Sequence, residues 1–389
     1  MRRWLSVAAI IVCSSITVSA QGNTRTTSRW ALVIGNGQYT DDILHLTNPP
    51  NDADAIATAL EHLGFQVIHR DNLTKPQTEQ AIREWAGNIQ RGGTSLFYYA
   101  GHAIQLNGNN YLVPIEASFT TPADVVRQSV QIDSIFDALQ AARTTPNIII
   151  LDACRNNPFV RRFDRNDWVS GLAPPKSAPP NTLIAYATDP GNVADDGLGK
   201  HSPYTRALLK YIGVPGMTVE DLFKNVRTFV EDSTDGDQIP WENTSLRTPF
   251  LFREPVFIHV QILDGDDDVF VFLNGVDVMS WDNDGTTDRQ LVLKAGANEL
   301  TVKVYNQRTF TGGIEGLGGH LPEGWRYSMR FTTEQNAELL ALSAREDVPA
   351  KDGPHHGRLF TVANAVVSVD DTGLVTVNSI DSDVWKRQH

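Results

Sequence analysis

The first half of the chain alternates short apolar runs with segments of helical period. The runs are apolar throughout, which is typical of strands buried on both faces of a sheet. Five such strands are predicted, at residues 30–34, 65–69, 95–100, 147–152 and 182–187. Apolar residues that recur every three or four positions predict helices at residues 51–63, 75–89, 132–142, 203–211 and 219–230. Residues 29–253 are therefore predicted to form an α/β domain, a sheet with flanking helices.

Beyond this domain the pattern changes to strands without helices. Strands are predicted at residues 256–263, 269–273, 290–293, 299–305 and 325–331, with Gly, Asp and Asn in the turns between them. We interpret residues 256–333 as an all-β sandwich, and residues 270–275 and 293–300 are similar to jelly-roll modules. Residues 334–389 are interpreted as a linker and a short β/helical tail, with a helix around residues 337–344.

Residues 1–20 have the three parts of a secretory signal peptide. Arg2 and Arg3 precede an apolar stretch, and small residues end at Ala20. We expect cleavage after Ala20 and a periplasmic or secreted mature protein. The apolar stretch is shorter than the roughly 20 residues that span a bilayer, and no later segment reaches that length, so we expect no transmembrane anchor.

Charge and composition restrict the function classes. The 389 residues include 33 Lys and Arg against 46 Asp and Glu, a net charge of −13. A chain this acidic has no basic surface for a phosphate backbone, so nucleic acid is not an expected partner. With 41% hydrophobic and 20% charged residues, the composition is that of a globular protein and not of a disordered or fibrous one.

Cys154 is the one cysteine outside the signal peptide. A solitary thiol cannot form an internal disulfide, so it is either a small buried apolar side chain or a reactive group. His102 favours the second interpretation, because it follows the predicted strand 95–100 as Cys154 follows the strand 147–152. In parallel α/β sheets ligands bind at the carboxyl ends of strands, so neighbouring strands would bring the two side chains to one edge.

Several motifs, taken in order, resemble the caspase-like cysteine peptidases, specifically the bacterial metacaspase or orthocaspase type. They are residues 30–35, Asn51-Asp52-Ala53, residues 98–102, residues 111–114 and Asp152-Ala153-Cys154. His102 also precedes Cys154 by about 50 residues, the order noted for caspases. The resemblance covers residues 29–253 and implies a caspase-like sheet with flanking helices.

The resemblance implies a cysteine-type endopeptidase, a hydrolase with a Cys-His dyad. Cys154 would attack the peptide carbonyl as a thiolate, and His102 would accept and return the proton. The backbone N–H groups of Cys154 and Ala103 would stabilise the oxyanion, although the family usually has glycine at the position of Ala103. No obligate third member of a triad is predicted.

The resemblance also implies a preference for Arg or Lys at P1. Asp52 and Asp152 stand at the positions where the family binds that side chain in S1, and carboxylates form charge-assisted bonds with a guanidinium. Asp52 equally fits a helix N-cap, and Asp152 a solvated strand end. If the pocket takes arginine, a loop after Cys154 is a candidate for self-cleavage, at Arg161, Arg162 and Arg165.

No cofactor or metal is predicted, and calcium dependence is left open. Some metacaspases bind calcium through acidic residues, of which Glu116 and Asp133 are candidate remnants in an incomplete cluster. The aspartates between Asp264 and Asp288 fit calcium ligands as well as tight turns, and we favour turns.

The expected partners are protein or peptide substrates. The β-sandwich is expected to bind a target, with a glycan or a protein as the ligand. Trp281, Trp325 and Tyr327 have side chains that can stack on sugars. Aromatic residues in such strands more often belong to a core. The alternative function is a caspase-fold binding or scaffold protein of the cell envelope with little or no peptidase activity.

Overall fold

A computed structural model of the chain describes residues 28–41, 44–153, 171–189, 194, 196–197, 199–265, 268–281, 288–305, 324–333, 338–347, 359–370 and 373–381. The chain divides into two compact units, with the boundary between Arg253 and Glu254. Residues 1–27, the predicted nucleophile Cys154 and the three arginines of the candidate self-cleavage loop lie outside the described residues.

The unit before this boundary is built on a six-stranded sheet. In chain order its elements are β1 (Arg29–Gly35), α1 (Pro49–His62), β2 (Gln66–Asp71), α2 (Lys75–Asn88), β3 (Thr94–Ala100), β4 (Ala103–Leu106), β5 (Asn109–Leu112), α3 (Pro122–Gln128), β6 (Val130–Gln131), α4 (Asp133–Ala142), β7 (Asn147–Asp152), β8 (Thr182–Tyr186), α5 (Pro203–Tyr211), α6 (Val219–Ser233) and β9 (Trp241–Thr244). The strand order is β2-β1-β3-β7-β8-β9, parallel except for β9. The predicted α/β fold is confirmed.

The sheet is apolar on both faces because helices cover both. Along β1, Ala31 and Val33 pack into a core with residues of α1, α5 and α6. Leu32 and Ile34 alternate with them and pack into a second core with residues of α2 and α4. A strand with both faces buried needs an apolar residue at every position, which explains the uninterrupted runs in the sequence.

The carboxyl ends of β3 and β7 are adjacent and carry the predicted site residues. Ala100 pairs with Asp152, and the Gly101 N–H donates to the Asp152 carbonyl at 3.3 Å. The chain then leaves β3 into the hairpin β4-β5, which β6 extends to a three-stranded sheet. His102 therefore lies between the end of the central strand and the start of this hairpin.

Some elements of the α/β unit were not predicted. Helix α1 begins at Pro49 rather than at Asn51-Asp52, and its N-cap is Asn48. Proline suits the first turn of a helix, where its missing N–H has no partner to lose. The short helix α3 and strands β6 and β9 are also additions. Each spans only two to seven residues, so periodicity carries little information about them.

The unit after Glu254 is a β-sandwich. Its strands are β10 (Val256–Gly265), β11 (Asp268–Leu273), β12 (Val276–Trp281), β13 (Asp288–Leu293), β14 (Gly296–Tyr305), β15 (Gly324–Thr333), β16 (Glu338–Asp347), β17 (Leu359–Val369) and β18 (Val375–Asp381). They form a four-stranded sheet, β13-β10-β15-β16, and a five-stranded sheet, β12-β11-β14-β17-β18. Residues of both sheets share one apolar core, among them Val260 and Phe331 from one sheet and Val302 and Ala365 from the other.

The interpretation of residues 334–389 as a linker and short tail is wrong in one respect. The helix predicted around residues 337–344 is the strand β16, which pairs with β15 over its length, and β17 pairs with β14 in the other sheet. Leu, Ala and Glu favour helices only by tenths of a kcal/mol per residue, and pairing with a neighbouring strand outweighs that preference. The sandwich therefore extends well beyond residue 333.

Other predictions for the sandwich fall on positions without a structural description. Residues 266–267 and 282–287 of the acidic turns lie outside the described residues, as do the side chains of Trp281, Trp325 and Tyr327. Their roles in ligand binding stay predictions. Across the described ranges, no helix has both the length and the apolarity needed to cross a bilayer.

Candidate active site

Gly101 shapes the turn that leads from β3 to His102. Its φ is +151°, in the range that L side chains rarely adopt. A Cβ at this position would lie 2.8 Å from the Tyr99 hydroxyl and 2.9 Å from the Tyr39 hydroxyl. Glycine is therefore required both for the backbone conformation and for the approach of the two tyrosines.

Tyr39 and Tyr99 hold the backbone of His102. The His102 N–H donates to the Tyr39 hydroxyl at 2.8 Å, and the Tyr99 hydroxyl donates to the His102 carbonyl at 2.9 Å. The Tyr39 and His102 rings lie with their centroids 4.8 Å apart. Burial, above all, raises the pKa of Tyr99 well above its usual value, so this phenol stays a neutral donor. His102 is thus fixed from two directions.

The imidazole of His102 is oriented by a backbone carbonyl. Its Nε2 lies 2.8 Å from the Leu44 oxygen, and the residue is 6% exposed. A carbonyl oxygen only accepts hydrogen bonds, so Nε2 carries the proton and Nδ1 is the basic nitrogen of the neutral ring. The orienting group is a main-chain carbonyl, so no residue type in the sequence marks it. The sequence analysis predicted only the Cys-His dyad and did not predict this carbonyl.

The N–H of Ala103 points away from its hairpin partner. Ala103 pairs with Leu112, and the flanking bond runs from the Val113 N–H to the His102 carbonyl at 3.0 Å. In an antiparallel ladder this places Ala103 and Leu112 in a non-hydrogen-bonded pair, whose amides face outward. β4 is an edge strand of its sheet, so this amide is turned away from β5. That direction suits the predicted oxyanion donor; Cys154, the other predicted donor, is not described.

Asp52 and Asp152 converge on Ser202. Asp152 ends β7 and accepts hydrogen bonds from the Ser202 hydroxyl at 2.5 Å and the Thr205 hydroxyl at 2.8 Å. Asp52, in the first turn of α1, accepts from the Ser202 N–H at 3.3 Å and contacts His201 Nδ1 at 2.9 Å. Both aspartates are fully buried. Asp52 is therefore not the N-cap of α1, and Asp152 is not a solvated strand end.

A family model described as "Caspase domain" matches residues 28–251, more than half of the chain. The chain belongs to the caspase-domain family of cysteine peptidases. The six-stranded sheet, its helices and the site at its carboxyl edge are the caspase domain of this protein.

Individual relatives of the caspase domain are distant. Human mucosa-associated lymphoid tissue lymphoma translocation protein 1 is 29% identical over 161 residues, which are 41% of this chain and 18% of that protein. A probable protease from a Desulfuromonadales bacterium is 28% identical over 191 residues, 42% of this chain and 23% of that protein. The chain thus spans about a fifth of the length of these curated relatives. The crystal structure of caspase-1 from Spodoptera frugiperda has a TM-score of 0.45 and 18% identity, covering 61% of this chain and 96% of that one.

Hydroxyl groups and a helix terminus stabilise the two carboxylates of the caspase domain. Ser202 is the N-cap of α5 and accepts the Thr205 N–H at 2.9 Å, so Asp152 lies at the positive end of this nine-residue helix. The Tyr98 and Thr205 hydroxyls, 2.6 Å apart, continue the network away from Asp152. Hydrogen bonds donated to a carboxylate favour its charged form, and Asp152 receives two of them, from Ser202 and Thr205.

His201 is a site residue that the sequence analysis missed. It precedes the N-cap of α5, and its side chain is 20% exposed while Asp52, its partner, has no exposed surface. Burial, followed by the positive charge of Lys200, lowers the pKa of His201, so the imidazole is neutral near pH 7 and donates its Nδ1 proton to Asp52. Unlike His102, this histidine stands in no motif and at no spacing that marks it in the sequence.

The structure separates the roles of the two candidate calcium residues. Glu116 accepts the N–H of Lys75 at the start of α2, whereas Asp133 accepts from the Gln131 side chain at the start of α4, both at 2.9 Å. Within the described part of the chain, no group of three or more His, Cys, Asp or Glu side chains is arranged to hold a metal ion. Calcium dependence stays an untested prediction.

The phenol of Tyr39 can be tested as a positioning group for His102. Tyr39→Phe removes the acceptor of the His102 N–H but keeps the ring, so we expect kcat to fall about tenfold, the loss of one neutral hydrogen bond, with little change in KM. The measurement is steady-state hydrolysis of an arginine peptide. Tyr211→Phe, which changes a ring packed on Phe229, is the matched control. An unchanged kcat in Tyr39→Phe would contradict this role.

Proposed function

We propose that this protein is an exported cysteine endopeptidase of the metacaspase type that cleaves after arginine or lysine, with Cys154 and His102 as the catalytic dyad. The observation that carries the proposal is the convergence of the buried Asp52 and Asp152 on Ser202, next to the strand end that leads to His102. A pair of carboxylates at the carboxyl edge of the sheet suits a cationic substrate side chain.

The proposed reaction uses the orientation of the His102 ring. Nδ1 takes the proton of the Cys154 thiol, and the thiolate attacks the carbonyl carbon after the basic residue. The oxyanion receives the backbone N–H of Ala103 and that of Cys154. The protonated imidazole then gives its proton to the leaving amine as the C–N bond breaks. Water, deprotonated by the same nitrogen, hydrolyses the thioester and restores the thiol.

The proposed S1 site selects by charge. A guanidinium or ammonium placed between Asp52 and Asp152 would form hydrogen bonds in which both partners are charged, and these are roughly twice as strong as neutral ones. An acidic P1 side chain would meet two negative charges in a buried setting, where repulsion is weakly screened. The site therefore favours Arg and Lys and excludes Asp.

The test is hydrolysis of fluorogenic peptides that differ only at P1, with Arg, Lys or Asp there. The mature protein is compared with Cys154→Ala, each intact and trypsin-nicked, with and without calcium. We expect cleavage after Arg and Lys that is absent in Cys154→Ala. Cleavage after Asp would contradict the proposed S1 site, and no cleavage under any condition would favour the binding or scaffold function.

Export and self-cleavage are separate parts of the proposal. Arg2, Arg3 and the apolar stretch after them support a signal peptide that is removed after Ala20. Arg161, Arg162 and Arg165 follow Cys154 in a segment with the P1 residue that the proposed S1 site prefers. N-terminal sequencing of the exported protein should give a chain starting at Gln21. An additional start after one of these arginines, absent in Cys154→Ala, would indicate self-cleavage.

A further inference from the structure

The connection between β8 and α5 is bonded to the start of α1. The Asn48 side-chain amide donates to the Asp196 carbonyl at 2.5 Å, and the Thr47 N–H donates to the Asp196 carboxylate at 3.3 Å. Further along the connection, His201 bonds to Asp52, and the Ser202 N–H follows. Asp196 of this connection thus bonds to the residues just before α1, and the His201 imidazole of the same connection bonds to the buried Asp52 carboxylate.

The burial of Asp52 limits how a substrate reaches it. Asp52 has no exposed surface, so a side chain that binds its carboxylate from outside must first displace a group that covers it. His201 touches that carboxylate and is itself one-fifth exposed at its side chain. His201 therefore both contacts Asp52 and reaches the surface.

We propose that His201 occupies Asp52 in the free enzyme in place of the substrate's basic side chain, and that a P1 arginine or lysine displaces it. This inference rests on the proposed function, because it requires Asp52 to bind the P1 residue. On displacement, the N–H···O bond from the imidazole is replaced by one from a cation, while the Ser202 N–H keeps its place on the carboxylate. The gain is a bond between two charged groups in exchange for a bond from a neutral donor to the charged carboxylate, and the imidazole moves into water.

This exchange makes His201 an internal competitor. A competitor that occupies the site for most of the time lowers the apparent affinity by the fraction of molecules in which the site is open. Removing it should tighten binding of arginine and lysine ligands by the same factor. One hydrogen bond from a neutral donor to a charged acceptor predicts a factor of about ten to a hundred.

The experiment measures binding without hydrolysis. A fluorescent peptide ending in arginine is titrated by anisotropy into Cys154→Ala, alone and combined with His201→Ala, His201→Asn or Asp52→Asn. We expect about ten- to hundredfold tighter binding with His201→Ala, binding as in the parent with His201→Asn, whose amide can donate from the place of Nδ1, and weaker binding with Asp52→Asn. His62→Ala, which removes an exposed histidine at the end of α1, is the matched control and should bind as the parent does.

Each other result overturns the inference. Unchanged binding with His201→Ala would mean that the imidazole does not compete. Weaker binding would mean that His201 holds Asp52 in place for the substrate. In both cases Cys154-dependent cleavage after arginine would leave the proposed function intact. The proposed function itself would be contradicted if no variant bound the arginine peptide and the protein with Cys154 present did not hydrolyse it.

A second measurement keeps both His201 and Asp52 in the protein that is titrated. Agmatine, which carries a guanidinium, is titrated into Cys154→Ala labelled at histidine, and the imidazole signals are followed by NMR. The His201 signal is assigned by its absence in His201→Asn. We expect this signal to shift on saturation towards that of a solvated imidazole, while the His62 signal stays in place. A stationary His201 signal at saturation would overturn the displacement.

Discussion

Replacing His102 with alanine is expected to lower kcat for an arginine peptide by about 10²–10⁴-fold, the usual contribution of a positioned general acid–base group. Nε2 is held by the Leu44 carbonyl, so the ring presents the basic Nδ1 in one orientation. In the proposed reaction, the Cys154 thiol would then lose its base and the leaving amine its acid. KM should change little, because the proposed S1 site does not include His102.

The control and the double variant separate catalysis from folding. His62→Ala removes an exposed histidine of the same domain and should leave kcat unchanged. Cys154→Ala, His102→Ala and the double variant should all reach the same residual rate, because residues that act as one unit are strongly non-additive. The measurement is steady-state hydrolysis, with thermal unfolding as the check on folding. If His102→Ala kept more than about a tenth of kcat, His102 would not be the general base.

Asp152→Asn is expected to reduce kcat/KM for an arginine peptide by about 30-fold to 1,000-fold, the loss from removing one partner of a buried charge pair. Asparagine keeps the shape of the side chain, and its amide oxygen can still accept from the Ser202 and Thr205 hydroxyls that now bond to Asp152. The negative charge is lost, so a guanidinium would face a neutral amide whose N–H₂ group repels its donors.

A peptide with citrulline at P1 identifies the cause of that loss. Citrulline has nearly the shape of arginine without its charge, so Asp152→Asn should change its kcat/KM far less, and the preference for arginine should fall by the same factor. Asp221→Asn, an exposed carboxylate at the start of α6, is the matched control and should leave both substrates unchanged. An equal loss for arginine and citrulline peptides would mean that Asp152 supports the fold of the site rather than its charge.

Much of the caspase domain could be predicted because the signals are local. Strands buried on both faces must be apolar at each position, and the five runs of the sequence correspond to β1, β2, β3, β7 and β8. Asn107-Gly108 marks the β4-β5 hairpin, because both residues adopt the positive φ that the turn needs. The same pattern places His102 just after the end of one such strand and Asp152 at the end of another.

Pairing between distant segments decided the rest of the fold. Residues 338–347 have helix-forming side chains. They nevertheless form β16, because they pair with β15 and Leu340 packs into the core of the sandwich. Strand β9 has four residues, of which three are polar, and it forms because it pairs with β8 as an antiparallel edge strand. Neither edge is visible from the segment's own sequence.

By itself, the sequence determined the α/β and all-β halves, the family resemblance and the candidate residues His102, Cys154, Asp52 and Asp152, because each depends on residue types in a short window. Only the tertiary structure decided how the described site is arranged. Ser202 bonds to both carboxylates, His201 covers Asp52, and the Leu44 carbonyl sets the tautomer of His102. These contacts join residues about 50 to 150 positions apart in the chain, or involve main-chain atoms that every residue has, so no local pattern encodes them.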